Sequence, residues 1–446
     1  MAGFDRRQFL LGTGLTTAGL ATRGTAAAAA PAAAAPLRFD DWNSVREQFA
    51  LTPDLLHFAS FFFVSHPKPV RLAIERYRQL LDNDPFRTVE THALGKPEDN
   101  LGLRVKRAAA EYLGGKAEEV ALVQSTTMGL ALVYQGLVLA PGQEILTTEH
   151  DHYAHHEAAR LAALRSGATV RKFKLFEQLE ALPALTAAQL VERIRAAIQP
   201  ATRVLGITWV HSSSGLQLPL RAIAVAVQEL NQARAEHDRV LIVVDGVHGF
   251  GVTDEAAAAT GIDVFVAGTH KWIFGPRGTG LVWARQSVWA QLRPSIPTFD
   301  SREPFEAWKT DKLPAPPGHA AWFTPGGFHA FEHEWAVADA FAFHGAIGRA
   351  RIAARIHELN GRLKQGLAAM PHVVLYTPRA EALSAGLVAF DVQGHAPAAV
   401  VEQLLAKKIV ASTSPYARTV ARLAAGIMNT PDEVDTVLAA VRGLKA

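Results

Sequence analysis

Three apolar runs constrain this chain more than any other feature. "RVLGITWV" (203–210), "RVLIVVD" (239–245) and "DVFVAG" (263–268) are nearly continuous rather than alternating. A strand with one wet face alternates apolar and polar residues, so unbroken runs belong to strands covered on both faces. Helical patterns lie between such runs. The resulting βαβαβ order predicts an α/β protein with a mainly parallel, doubly wound sheet and helices on both sides.

The pattern begins near residue 100. Leu101 to Leu113 reads as an amphipathic helix stopped by Gly114 and Gly115. "EVALVQ" (119–124) is a short buried strand, and "STTMGLALVYQGLVL" (125–139) a helix opened by hydroxyl-bearing residues. "EILTTE" (144–149) is a strand after a Pro-Gly turn, with a helical stretch from there to Arg165. Thr186 to Gln189 match a capping box heading a further helix.

After Gly280 the alternation is expected to break, with 294–329 a long ordered connection rich in Pro, Gly and aromatics. Residues 331–369 read as one long helix, and "HVVLY" (372–376), "GLVAFDV" (386–392), "IVAST" (409–413) and "TVARLAAG" (419–426) as strands before a last helix from Pro431. This tail predicts a smaller C-terminal α+β domain. The expected divisions are 1–35, a leader and linker; 36–70, an N-terminal segment; 71–310, the large domain; and 311–446, the connection and small domain.

The leader has its own logic. Arg6 and Arg7 precede Phe9 and Leu10, a mildly apolar Gly/Thr stretch, and small residues offering Ala-x-Ala cleavage sites near Ala26 to Ala30. It resembles a bacterial twin-arginine export signal, with Asp5 where Ser or Thr is commoner. The apolar part is too short to span a bilayer, so no stable membrane anchor is expected after cleavage. The resemblance implies the export machinery as a partner and a periplasmic destination reached already folded. The chain contains no cysteine, which suits an oxidising compartment and removes every cysteine-based mechanism. A net charge of only +3 gives no basic face for nucleic acid.

In a doubly wound sheet, ligands bind beyond the carboxyl ends of the strands. Four features fall there. Ser125, Thr126 and Thr127 open a helix directly after a strand; free N–H groups, hydroxyls and the positive helix end make a phosphate seat, or a plain N-cap. Asp245 ends an apolar strand, where a cationic ring nitrogen would satisfy a carboxylate that is costly to leave unpaired, or where the acid simply caps the next turn. Lys271 follows the 263–268 run within "AGTHKWIFGPRGTG". "TEHDHYAHHEA" supplies His150, His152, Tyr153, His155 and His156. His152 and His156 are four apart on an expected helix, but no HExxH is present, so zinc is set aside. A phosphate cup, an acid, a flat ring and a lysine are together what pyridoxal 5′-phosphate requires.

On these residues the chain resembles the class V, fold-type I family of pyridoxal-phosphate enzymes, in its isopenicillin N epimerase-like branch. The carrying motifs are His270-Lys271-Trp272 with the glycine turn at Gly275 to Gly280, Val244 to His248, and Arg422 with "MNTPDEVD" at Met428 to Asp435. The resemblance implies that Lys271 is the cofactor-bearing lysine and proton carrier. Asp245 would pair with the pyridine nitrogen, and His248 would lie near the ring hydroxyl. Ser125, Thr126, Thr127, Thr269 and His270 would serve the phosphate. His152 would stack on the ring, with His150 as rival, and Arg422 would clamp the substrate carboxylate.

Three departures stand out. Gly268 occupies the place of a common phosphate-binding serine, so Thr269 is expected to substitute. "HSS" (His211 to Ser213) replaces a motif with a side-chain amide. Gly327 falls where a partner subunit often donates threonine. A homodimer is implied. Phe61 to Phe63 and the 294–329 connection are expected to shape the substrate pocket.

The implied activity is at the α-carbon or amino group of an amino acid or peptide-linked amino acid. Transamination leads, in secondary-metabolite or siderophore tailoring. Epimerisation and cysteine-independent C–S elimination stand as alternatives. From another class, a catalytically silent ligand-binding module remains; retained Lys271, Asp245 and Arg422 argue against it, because binding alone needs no reactive amine.

Overall fold

In the computed structural model, which describes residues 38–444, the continuous apolar runs become adjacent strands covered on both faces. A short strand β1 (Leu56–His57) comes first. Seven strands then build the main sheet: β2 (Val120–Val123), β3 (Glu144–Thr148), β4 (Thr169–Phe173), β5 (Thr202–Thr208), β6 (Leu241–Asp245), β7 (Val264–Gly268) and β8 (Gly280–Ala284). Their order is β2-β8-β7-β6-β5-β3-β4. All run parallel except β8, which is antiparallel to both neighbours.

Alternate residues of each run pack into different cores, which is why the runs are unbroken. Ile242, Val244, Phe265 and Ala267 join one cluster with Val105 and Leu113, Leu190 and Ile194, and Ile223 and Val227, from helices Leu101–Leu113, Ala187–Ala197 and Leu220–Gln232. Val243, Val264 and Val266 join the opposite cluster. There they meet Leu130 and Val133 of helix α1 (Thr126–Gly136) and Ala159 and Ala163 of helix α2 (Tyr153–Ser166). Burying both faces, at about 25 cal/mol per Å² of apolar surface, makes these strands costly to expose. Local expectations hold as well. Gly114 ends its helix in the left-handed conformation at φ 76°, and Thr186 and Gln189 close the capping box.

The C-terminal part of the chain contains an antiparallel sheet of order β12-β13-β10-β9, from β9 (Val373–Leu375), β10 (Val388–Val392), β12 (Ser412–Thr413) and β13 (Ala421–Leu423). Leu359, Leu363 and Leu367 of helix Arg349–Ala368 and Val434, Val437 and Val441 of helix Pro431–Arg442 pack on Phe390 and Leu423. Strand β11 (Ile409–Val410) pairs in parallel with β1, tying the N-terminal segment to this half.

Four points of the sequence reading are corrected. The alternation does not stop at Gly280: "GLVWA" is β8, wedged between β2 and β7. Strand β4 was not foreseen, because "TVRKF" is an edge strand with no fully buried residue and so has no continuous apolar run. The long helix is three, Phe331–Trp335, Val337–Ile347 and Arg349–Ala368, the last break falling at Gly348, whose φ of 96° no helix accommodates. "IVAST" likewise divides into β11 and β12, which belong to different sheets. The leader with Arg6 and Arg7 lies outside the described residues.

Candidate active site

Because β2, β3, β5, β6 and β7 run the same way, their carboxyl ends open on one side of the sheet. Val123 and Gly268 both pair with Gly280. Just beyond, the Ser125 hydroxyl caps α1 by accepting from Met128 N at 3.1 Å, which leaves the first N–H groups of the helix free. Thr126 Oγ1 accepts from Gly268 N at 2.8 Å, so the helix start and the lysine-bearing strand end are one unit; Thr127 is exposed at its rim. Glycine at 268 has a local reason. A Cβ there would stand 2.6 Å from the His270 ring and 3.2 Å from Thr126 Oγ1.

Lys271 follows β7 and is half-buried. Its Nζ lies 2.9 Å from Nε2 of His248, which itself follows β6. Burial, with Asp245 opposing and Arg422 assisting, lowers the lysine pKa to about 8. Burial first, then the Lys271 charge, holds His248 well below its ordinary value, so the imidazole is neutral. Asp245, 3 % exposed, accepts from Val247 N at 3.1 Å through Oδ1. Burial raises its pKa, while His155, that backbone bond and Lys271 oppose. Lys271 is the common neighbour: its charge is felt at Asp245, His152, His248 and His270.

His150 and His152 part ways. The His150 ring is stacked on Phe176 at 3.7 Å and 8°, and its Nε2 is buried. His152 caps α2 through Nδ1, which accepts from Ala154 N at 3.2 Å, and its exposed ring lies in the fields of Lys271 and Arg422. His156, weighed above as a metal ligand, is bonded to the Thr148 carbonyl at 2.7 Å. Thr269 is not brought to the rim. It is fully buried, and its hydroxyl bonds that of Thr279, which in turn donates to the Pro276 carbonyl and closes the glycine turn.

Arg422 reaches the site from β13. Its Nη1 donates to Ser212 O (2.6 Å) and its Nη2 to Ser412 Oγ (3.1 Å) and Thr413 O (2.7 Å). The guanidinium lies 4.6 Å over the Phe61 ring. It is 4 % exposed, Nε is buried without a partner, and burial lowers its pKa to about 10, so it remains cationic at neutral pH. No carboxylate pairs with it among the described residues. A buried cation with an idle N–H and no acid is prepared for an anion. Gly327 sits at φ 117° beside Phe328, which is 75 % exposed.

Asp151 and Tyr416 escaped the sequence reading, as did the partners of His155. Asp151 is fully buried, accepting from Thr148 N (2.8 Å), Thr148 Oγ1 (2.9 Å) and Thr208 N (2.9 Å). His155, bonded to Tyr134 OH at 2.7 Å, lies between the fields of Asp151 and Asp245. The logic applied to Asp245, an acid at an apolar strand end, also fits Asp151. Tyr416, which bonds Ser212 Oγ at 2.6 Å, carried no sequence signal.

These residues fit pyridoxal 5′-phosphate. A buried carboxylate, an amine, a free helix start and unpartnered buried nitrogens on His248 (Nδ1), His270 (Nδ1) and Arg422 (Nε) converge around Lys271. Unpaired buried polar atoms in such number are costly in an empty interior and are accounted for by a polar ligand.

The class V aminotransferase family model matches residues 65–437. An isopenicillin N epimerase of Streptomyces clavuligerus is 26% identical, covering 91% of this chain and 98% of the relative. A cysteine desulfurase of Klebsiella pneumoniae subsp. pneumoniae is 25% identical, covering 76% of this chain and 82% of the relative. Among solved structures, a C-DES variant with glycine covalently linked to its PLP cofactor matches with a TM-score of 0.75 at 20% identity, over 89% of this chain and 99% of that one. An apo cysteine desulfurase of Thermococcus onnurineus matches with a TM-score of 0.75 at 20% identity, over 90% and 97%.

Proposed function

This chain belongs to the class V aminotransferase family, and on that premise we propose that it is an exported enzyme which uses pyridoxal 5′-phosphate to act at the α-carbon of an amino acid or peptide-linked amino acid, with transamination as the outcome. When bound, the cofactor supplies an aldehyde that an amine can hold and a ring that withdraws electron density from the α-carbon. The observation that carries the reading is the meeting of Lys271, its pKa lowered to about 8, with Arg422, a buried cation lacking an acid.

The chain's own residues divide the work. Lys271 is the amine for the aldehyde and takes the α-proton as a neutral base; His248, neutral itself, orients Nζ through the 2.9 Å contact. Asp245 offers a carboxylate to the pyridine nitrogen. Ser125, Thr126 and Thr127 at the start of α1 and His270 serve the phosphate, and Thr269 holds the turn that carries Lys271. His152 serves as the stacking ring. Arg422 takes the substrate carboxylate, with Phe61 shielding the guanidinium from water.

Epimerisation is the second reading, supported by an epimerase relative that this chain covers almost entirely. Persulfide transfer through a protein cysteine has no residue to carry it, since the chain contains none. Proton NMR of amino acids incubated with the enzyme and a 2-oxo acid acceptor in deuterium oxide tests the reading. Loss of the α-proton signal with conversion of the acceptor to its amino acid fits transamination, inversion with the acceptor unchanged replaces it with epimerisation, and no exchange under any amino acid contradicts both. Lys271→Ala must abolish exchange.

Export and assembly belong to the same proposal. Arg6 and Arg7 support passage through the twin-arginine route, so replacing both with Lys should hold the protein in the cytoplasm; unchanged periplasmic yield would refute this. Exposed Phe62 (71 %) and Phe63 (51 %), the latter's ring 6.0 Å from that of His270, support a homodimer covering the site mouth, tested by sedimentation equilibrium.

A further inference from the structure

The loop from Ser414 to Val420 turns one side chain into the site. Pro415, Ala417, Arg418 and Thr419 are exposed, whereas Tyr416 is half-buried between Arg422 and His152. The loop is closed on itself: Ser414 N donates to Val420 O at 2.9 Å, and Val420 N to Ser414 Oγ at 3.0 Å. It is pinned from outside by Arg418, which donates to Glu180 at 2.6 Å and to Tyr376 OH at 2.7 Å. Tyr376 OH in turn donates to Asp391 at 2.8 Å. A closed, pinned loop holds its tyrosine without cost at the moment of binding.

The donors of Arg422 make that placement informative. A guanidinium has five N–H groups, and three of them are engaged with Ser212, Ser412 and Thr413. Both Nη2 protons are among those three. Nη2 belongs to both edges of the planar group, so neither edge offers two free parallel N–H bonds for the usual fork on a carboxylate. Nε, buried and unpartnered, and the second Nη1 proton remain, but they lie on different edges of the planar group and cannot grip one carboxylate as a fork. One carboxylate oxygen is thereby served and the other lacks a donor. The Tyr416 hydroxyl is held 2.6 Å from Ser212 Oγ, on the residue whose carbonyl receives Arg422 Nη1. Either hydroxyl can donate in that bond, and in the arrangement where Ser212 donates the phenolic proton is free for a ligand. Its ring stands edge-on to His152 at 6.3 Å and 80°, on the flank of the expected cofactor stack.

We propose that Tyr416 is a substrate-contacting residue, donating to the carboxylate oxygen that Arg422 leaves unserved, so that the carboxylate seat of this enzyme is an arginine–tyrosine pair. The proposal rests on the pyridoxal-phosphate reading above. The phenol acts in binding, and no proton or electron pair is transferred by it.

The test is titration of the cofactor-loaded protein with glycine and with glycinamide, which share an amine but not a carboxylate, followed by the visible absorption of the bound cofactor. Tyr416→Phe should weaken glycine about tenfold, the scale of one hydrogen bond to a charged group, and leave glycinamide within about twofold. With a turnover substrate, the same variant should raise KM more than it lowers kcat. Cofactor content and melting temperature, unchanged, exclude a folding defect. Equal effects on both probes, or on neither, overturn the proposal while leaving the cofactor reading in place. Wild-type protein that takes up no pyridoxal phosphate overturns both.

Discussion

Nζ of Lys271 lies 2.9 Å from Nε2 of His248, and burial favours the uncharged form of each partner. An ordinary lysine is almost wholly protonated at neutral pH and cannot attack a carbonyl. Here the cost of desolvating the ammonium, assisted by Arg422, brings the free amine within reach of physiological pH, and Asp245 alone restrains the shift.

A pH dependence follows with a definite sign. The neutral amine is the reactive form, so the rate at which cofactor-free protein captures pyridoxal phosphate should rise about tenfold per pH unit and level off near pH 8, the value to which burial lowers Lys271. Stopped-flow absorbance measures it. A rate still climbing beyond pH 9.5 would mean that the lysine is unperturbed.

Asp245→Asn separates activity from stability. The isosteric amide retains the acceptor for Val247 N but removes a buried charge whose pKa burial raises. Turnover should fall about 10²–10³-fold, the scale of losing one preorganised electrostatic partner, while the melting temperature holds or rises. Without the Asp245 charge the plateau in cofactor capture should also begin below pH 8, because the one influence raising the Lys271 pKa is gone.

The two neighbouring histidines should behave differently. His152→Ala is expected to weaken pyridoxal phosphate about fivefold, from losing one ring stack, with only the small drop in melting temperature that losing one helix cap brings. His150→Ala should do the reverse, because its ring is already spent on Phe176. Equilibrium dialysis and thermal melts compare them. Stronger cofactor loss in His150→Ala would assign the stacking role to the rival.

The frame of the site was legible wherever burial writes itself into composition. The runs that became β5, β6 and β7 had to be apolar on both faces, and their ends carry Asp245 and Lys271. Strand β4 was silent because an edge strand need not be apolar, and β8 because "GLVWA" closely follows a glycine-rich turn that reads as the end of the sheet. The last break of the 331–369 helix depended on Gly348, a residue a helix interior can tolerate until its φ is known. Tyr416 and His155 act through contacts across the fold, as in Tyr416 to Ser212 and His155 to Tyr134, and no spacing along the chain records those, whereas Asp151 follows an apolar strand end as Asp245 does and was legible on that ground. Thr269 shows the converse. It has the right residue type beside the lysine, yet Thr279, ten positions on, takes its hydroxyl.

The central claim is that Lys271 holds a carbonyl cofactor, and the visible absorption spectrum of the purified protein with and without Lys271→Ala tests it most directly. The expected result is a yellow wild-type protein whose absorption band is lost on borohydride reduction with the label fixed at Lys271, and a variant that lacks the covalent band. A colourless wild type that takes up no added pyridoxal phosphate, or a variant with the unaltered band, would contradict it.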